Sequence, residues 1–280
     1  MSADTVRAPF ERLLLATEHS EHDHGAETLG LALARHCGLP LPVVMPVISN
    51  PEYEATTPQA AARADGAAAE RRQAFVGEAA AAGITLDLQV RHGLQLWREI
   101  VEQARDQGSE LLVIRRRGRP GLLANVLIGD MVSKVLAHAP CPVLVCPRAA
   151  RMWQRRVLVA LAPGEPDDGP LRVAAGIARR CGLPLTLLSV GPESLRAGLE
   201  VQARAWRAGG LTVDVVLRDG APHREIVDAA RTLGADLVVV GRHGGDFLGR
   251  AWIGGTAQKV VGLAEHPVLV VPPAVDSPDT

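Results

Sequence analysis

The sequence predicts two α/β units, each a doubly wound sheet of five parallel strands covered by helices. Three observations predict it. The chain states itself twice: LQVRHGLQLWREIVEQARDQGSELLVI (88–114) returns as VVLRDGAPHREIVDAARTLGADLVVV (215–240), AHAPCPVLVCP (137–147) as AEHPVLVVPP (264–273), and ARHCGLPLPVVMPV (34–47) as ARRCGLPLTLLSV (178–190). Matched segments in the same order mean duplication of a whole domain. Within each copy, short apolar runs alternate with amphipathic stretches, the βα rhythm of a wound sheet. Runs such as LVVV and PVLVV are apolar throughout, which marks strands buried on both faces.

In the first copy the apolar runs place strands at 12–17, 42–47, 86–91, 111–115 and 143–146, with helices at 24–37, 60–82, 96–107 and 128–137. In the second copy the strands fall at 157–161, 186–190, 212–217, 237–240 and 268–271, with helices at 168–181, 194–208, 223–233 and 253–264. The copies differ most between their second and third strands, where the first inserts SNPEYEATTPQ and an Ala-rich stretch. The former is a turn-rich connection and the latter a helix. The basic run RAARMWQRR (148–156) breaks the pattern, so the domains are expected at 1–148 and 155–280.

At 280 residues the chain has room for two cores, and 47% hydrophobic content is that of a globular protein. A net charge of −1 gives no electrostatic case for nucleic acid or an anionic membrane. The first residues, MSADTVRAPFERLLLATEH, read as neither a signal peptide nor a span, so a cytoplasmic location is expected. Cys37 and Cys181 occupy equivalent points late in a helix and read as buried free thiols. Cys141 and Cys146 bracket a strand five apart, a spacing that suits neither zinc nor a redox pair.

The sharpest local signal is ADLVVVGRHGGDFLGRAWIGGTAQKVVGLAEHPVLVV, in the second copy. A strand ends at Val240, Gly241, Gly244 and Gly245 make a loop, and Gly254 and Gly255 open the next helix with Thr256 inside it. Glycines let backbone N–H groups curl around phosphate oxygens, and a helix N-terminus adds donors and partial positive charge. Alone, such a turn is equally an ordinary tight turn.

The spacing Gly241-x2-Gly244-x9-Gly254, the closing HPVLVV strand and the preceding HREIVDAARTLGADLVVV run resemble the universal stress protein family, in its tandem two-domain form. The resemblance covers nearly the whole chain. It implies sheets of strand order 3-2-1-4-5 and two domains packed as an internal pseudo-dimer, with a homo-dimer as a further option. It also implies an adenine nucleotide, ATP or a relative, held by the glycine loop, by an Asp ending the first strand and by a Val ending the second.

Carried over residue by residue, the match is uneven. The second copy offers Val190, Gly241, Arg242, His243, Gly244, Gly254, Gly255 and Thr256 as nucleotide-binding residues. Its family hydroxyl position is Gly255, with Thr256 one place late, and its acid position is Ala162. The first copy has Glu18 at the acid position and Val47 at the valine, but Arg115 stands at the first glycine. There Gly118 and Gly129 enclose ten residues and Asp130 opens the helix, where its charge would repel phosphate. This first site reads as degenerate, and Arg115, Arg116, Arg117 and Arg119 read as a solvated basic loop.

The run EHSEHDHG (18–25) sets three histidines among three acids, but without distant partners it specifies no metal cage, and acids at a helix start answer the dipole. No nucleophile elbow, HExxH or Lys-Ser/Thr phosphate loop is present, so no catalytic residue is assigned. The expected function is a stress-response protein that binds an adenine nucleotide in its second domain and acts through a protein partner rather than by turnover. The alternatives are a protective interaction module without nucleotide and, more weakly, a slow ATPase. Neither nucleic acid nor membrane is an expected partner.

Overall fold

The computed structural model describes residues 10–50, 52, 56, 58–116, 128–163, 168–242 and 252–273. They form two compact units that meet in sequence between Met152 and Trp153. The first runs β1 (Leu13–Ala16), α1 (His24–Cys37), β2 (Leu41–Ile48), α2 (Pro58–Ala81), β3 (Leu86–Gly93), α3 (Leu96–Asp106), β4 (Leu111–Arg115), α4 (Asp130–His138) and β5 (Val143–Cys146). The second runs β6 (Val157–Ala160), α5 (Gly169–Cys181), β7 (Leu185–Val190), a 3-10 turn (Glu193–Leu195), α6 (Arg196–Ala208), β8 (Val213–Arg218), α7 (Pro222–Thr232), β9 (Leu237–Gly241), α8 (Gly255–Leu263) and β10 (Val268–Val271).

In the first unit the strands lie side by side as β3-β2-β1-β4-β5, and in the second as β8-β7-β6-β9-β10. Every pairing within a unit is parallel. This is the 3-2-1-4-5 order in each. LLLA of β1, in the middle of its sheet, and VLVC of β5 and VLVV of β10, each last in its unit's order, are apolar and buried at every position. β2 and β3 pair over eight positions, from Leu41↔Leu86 to Ile48↔Gly93, and so outrun the predicted apolar run. The ladder continues where side chains reach solvent, because backbone pairing does not need apolar side chains.

The repeated segments are explained by the fold. In Cys-Gly-Leu-Pro, Gly38 and Gly182 end α1 and α5 at φ of 66° and 65°. Leu39 N–H then reaches Ala34 C=O at 2.9 Å, and Leu183 N–H reaches Ala178 C=O at 2.8 Å. These close the free helix carbonyls in the same way twice. The acids that precede β4 and β9 also act alike. Glu110 accepts Glu11 N–H at 2.7 Å, and Asp236 accepts Gln154 N–H at 2.7 Å and Arg156 N–H at 3.0 Å. Each anchors the chain as it enters the central strand.

The Ala-rich insertion is helical, as α2, and contributes Ala68, Phe75 and Ala79 to the core. Cys37 and Cys181, each the last residue of its helix, are half-buried rather than buried; Cys141 and Cys146 are buried, and none of the four is in a disulfide. No described helix is long and apolar enough to cross a membrane.

Candidate functional site

In a parallel sheet of this order, ligands approach the carboxyl ends of the strands where the winding reverses, here beside β6 and β9 in the second unit and β1 and β4 in the first. Strand register fixes which residues correspond. β1 pairs Leu13↔Leu111 and β6 pairs Val157↔Leu237, so Arg115 and Gly241 end equivalent strands at equivalent positions. Likewise Thr17 N–H bonds Val44 C=O at 3.1 Å and Leu161 N–H bonds Leu188 C=O at 2.8 Å, which sets Glu18 opposite Ala162.

In the second unit, Gly241 closes β9 against Val271. Arg242 N–H continues to Val271 C=O at 2.6 Å, and Gly254 N–H returns to Arg242 C=O at 3.2 Å. The glycine loop is thus pinned where it leaves and where it comes back. His243 and Gly244 lie outside the described residues. Gly254 is extended, at φ −57° and ψ 144°, and α8 begins at Gly255 with no side chain capping it. Its first backbone N–H groups therefore have no intrahelical acceptor. Gly255 and Thr256 are exposed, while Gly254 and Ile253 are buried. A Cβ at Gly255 would meet nothing within 4 Å, so packing does not explain that glycine. Burial lowers the pKa of Arg242 from the ordinary arginine value. Val190 is half-buried at the end of β7, and Ala162 is exposed and offers no acceptor. The residues present therefore fit the phosphate end of a nucleotide better than its ribose and base.

The first unit is built differently at the same place. Arg115 is not part of a solvated loop. It is the last residue of β4, and its side chain is only 4% exposed. It is buried because the β1–α1 connection folds over it and supplies acceptors: Nη1–H donates to Asp23 Oδ2 at 2.6 Å and to Ser20 Oγ at 3.0 Å, and Nη2–H to Glu18 Oε1 at 2.7 Å. Glu18, the acid in the ligand-holding position, is therefore bonded to the protein's own guanidinium. Asp23 does not cap α1; its Oδ2 also accepts the Ser20 N–H at 2.9 Å and the Ser20 hydroxyl at 2.6 Å. Glu27 Oε1 takes the Thr17 hydroxyl at 2.6 Å and lies 2.9 Å from His19 Nδ1. Glu18 and Asp23 of the 18–25 run are thus bonded to Arg115, Glu21 pairs with Arg148, and His19 lies against Glu27; no group of three donors that could hold a metal is found among the described residues.

Gly129 precedes α4 as Gly254 precedes α8, but Asp130 is the first helical residue and pairs with Lys134 at 2.8 Å. Gly118 lies outside the described residues, as do Arg117 and Arg119. Arg116, equivalent to Arg242, keeps the strand-end bond, its N–H reaching Cys146 C=O at 2.7 Å, and burial lowers its pKa too. The two valines are not equivalent by register: β1–β2 and β6–β7 pairing sets Val190 opposite Pro46, and Val47 one position further on. Their side chains thus point to opposite faces of their sheets. Sequence reading missed the Arg115–Asp23–Glu18 network because its members are 92 and 97 residues apart. The available signal was an arginine ending an otherwise apolar strand.

Comparison with known proteins agrees with this two-unit reading. A universal stress protein of Mycobacterium tuberculosis is 25% identical over 177 residues, which cover 54% of this chain and 61% of the relative. One from Methanocaldococcus jannaschii is 36% identical over 81 residues, 29% of this chain and 45% of that one. The chain thus spans less than two thirds of the length of these relatives. Among solved structures, a universal stress protein from Archaeoglobus fulgidus superposes with a TM-score of 0.79 at 20% identity, covering 94% of this chain and 98% of its own. The model of the universal stress protein family matches residues 9–147, the first copy, and 191–272, the later part of the second, and the chain belongs to that family.

Proposed function

We propose that the second unit binds an adenine nucleotide, ATP or a relative, and that the protein acts by ligand-dependent interaction with a protein partner rather than by turnover. The binding residues are Gly241, Arg242, His243, Gly244, Gly254, Gly255 and Thr256 around the phosphates, with Val190 beside them. The observation that carries this reading is the start of α8. Its uncapped N–H groups are exposed behind a glycine that no packing contact requires. Such a terminus favours an anion, and the absence of a Cβ leaves the backbone approachable. The glycine spacing supplies the second support.

The test is calorimetric titration of the full chain with ATP, repeated with Gly244→Val. A β-branched residue in the loop blocks backbone approach to phosphate, so the variant is expected to lose binding. Equal affinity of parent and variant, or no binding by the parent, overturns the assignment. The second reading, an interaction module that takes no nucleotide, is favoured by Ala162, which puts no carboxylate at the register position of Glu18. Small molecules carried through native purification and identified by mass spectrometry separate the two.

A further inference from the structure

We propose that Arg115 is a built-in occupant of the first unit's cleft, excluding nucleotides from it and holding the β1–α1 connection in place without a ligand. This goes beyond the nucleotide reading of the second unit and does not rest on it.

The first ground is position. Arg115 ends β4 where Gly241 ends β9, and its side chain reaches the connection after β1, bonding Glu18, Ser20 and Asp23. The second is burial with partners. A guanidinium that is 4% exposed meets a carboxylate that is 1% exposed, and a second carboxylate and a hydroxyl take further Nη–H donations. A planar fork with several donors suits such a set of oxygens, where a lysine would reach one of them.

The third ground is charge. Glu18 and Asp23 both pair with the one guanidinium of Arg115, Glu27 lies nearby on Thr17 and His19, and Asp130 stands at the start of α4. A triphosphate entering here would have to displace Arg115 from its acids and then face those acids itself. The fourth ground is backbone conformation. His19 sits at φ 49°, in the left-handed region that a non-glycine residue rarely adopts. Its N–H bonds Thr17 Oγ1 at 2.8 Å, its ring approaches Glu27, and it packs on Phe75 with centroids 5.0 Å apart. The connection is held in a conformation it would not keep unaided.

Hydrogen exchange read by mass spectrometry on the full chain tests this, with parent, Arg115→Gln and Glu18→Gln, each with and without ATP. In Arg115→Gln the amides of residues 17–25 are expected to exchange about a hundredfold faster, because Asp23 is left buried without its cation. Peptides of β9 and α8 should not change. In the parent, ATP should leave 17–25 unaltered. Unchanged exchange at 17–25 in Arg115→Gln, or slowing of 17–25 by ATP in the parent, overturns the proposal. If Arg115→Gln does not fold, Glu18→Gln carries the test, since Asp23 still pairs with Arg115. Its 17–25 amides should exchange several-fold faster than the parent's, and no difference overturns the proposal. Slowing by ATP at α8 reports separately on nucleotide binding by the second unit.

Discussion

At one position in the register the two units place opposite chemistries: β4 ends in a buried arginine and β9 in a glycine. Around the arginine the first unit gathers carboxylates, a hydroxyl and a left-handed histidine. Around the glycine the second unit leaves an exposed helix start and an alanine where the acid would be. The fold beneath is the same, with the same strand order, the same Cys-Gly-Leu-Pro helix ends and the same acid anchoring the entry to the central strand. Duplication has therefore preserved what builds the sheet and let the two ligand-facing ends diverge. One unit supplies its own cation and the other leaves a helix start uncapped.

The largest effect that would break this comparison is at the arginine. Replacing Arg115 by Met leaves Asp23 buried and unpaired, and truncating a buried pair costs about 3–5 kcal/mol. The first unit should unfold at clearly lower urea while the second does not, as read by proteolytic fragments assigned to each unit. Replacing Asp23 by Leu in the same chain should recover much of the loss, because an apolar pair of similar volume tolerates burial. If Arg115→Met leaves the first unit's midpoint unchanged, the network is not what holds it.

The next effect is at the glycine. Gly255→Val should weaken ATP binding at least about tenfold by covering the helix N-terminus, with little change in stability because a Cβ there meets nothing within 4 Å. Calorimetry and thermal unfolding on one preparation separate the two. Ala162→Asp sharpens the comparison in the other direction. It places a carboxylate at the register position of Glu18 in a unit whose counterpart of Arg115 is Gly241, and a charged hydrogen bond contributes about 1.5–3 kcal/mol. ATP affinity should rise by roughly tenfold or more; an unchanged affinity would mean that the base does not lie near the end of β6.

Most of the sheet was legible in the sequence, because strands buried on both faces have to be apolar throughout, and VLVC and VLVV can hardly be anything else. The Ala-rich helix was legible for its propensity alone. The site was legible only where it depends on local spacing, as in Gly241 and Gly254. What depends on side chains meeting across about ninety residues was not. Arg115 read as one of four arginines in a loop, yet it ends β4 and its side chain is buried. Glu18 read as a retained ligand acid for the same reason. The equivalence of Val47 and Val190 failed because PVVMPV is one residue longer than TLLSV, and only pairing with β1 and β6 shows the slip.

A smaller contrast lies in the thiols. Burial pushes Cys141 up to about 12 and Cys146 higher still, and raises Cys181. Since the thiolate is the reacting form, native protein near neutral pH should be alkylated at half-buried Cys37 and Cys181 before either first-unit strand cysteine. Peptide mapping after brief iodoacetamide treatment reads this, and early labelling of Cys146 would mean that β5 opens.

The smallest effect concerns His223 of α7, where the first unit has Trp97. Trp97 itself does not titrate; it packs on His138 with ring centroids 4.6 Å apart and lies under Arg98. His223 is a half-buried imidazole whose pKa is lowered from 6.5, first by burial and then by the positive charges of Lys259 and Arg224. A lowered histidine value means that the folded state binds its proton less readily than the unfolded chain. The stability this provides is complete above the unfolded value and is lost as pH falls through 6.5 toward the folded value. The second unit's urea midpoint should therefore decline between about pH 7 and about pH 5, and the decline should be shallower in His223→Gln. Because the ring is partly solvated, the difference should be modest and confined to the second unit. A parallel decline in parent and variant would place the titrating group elsewhere.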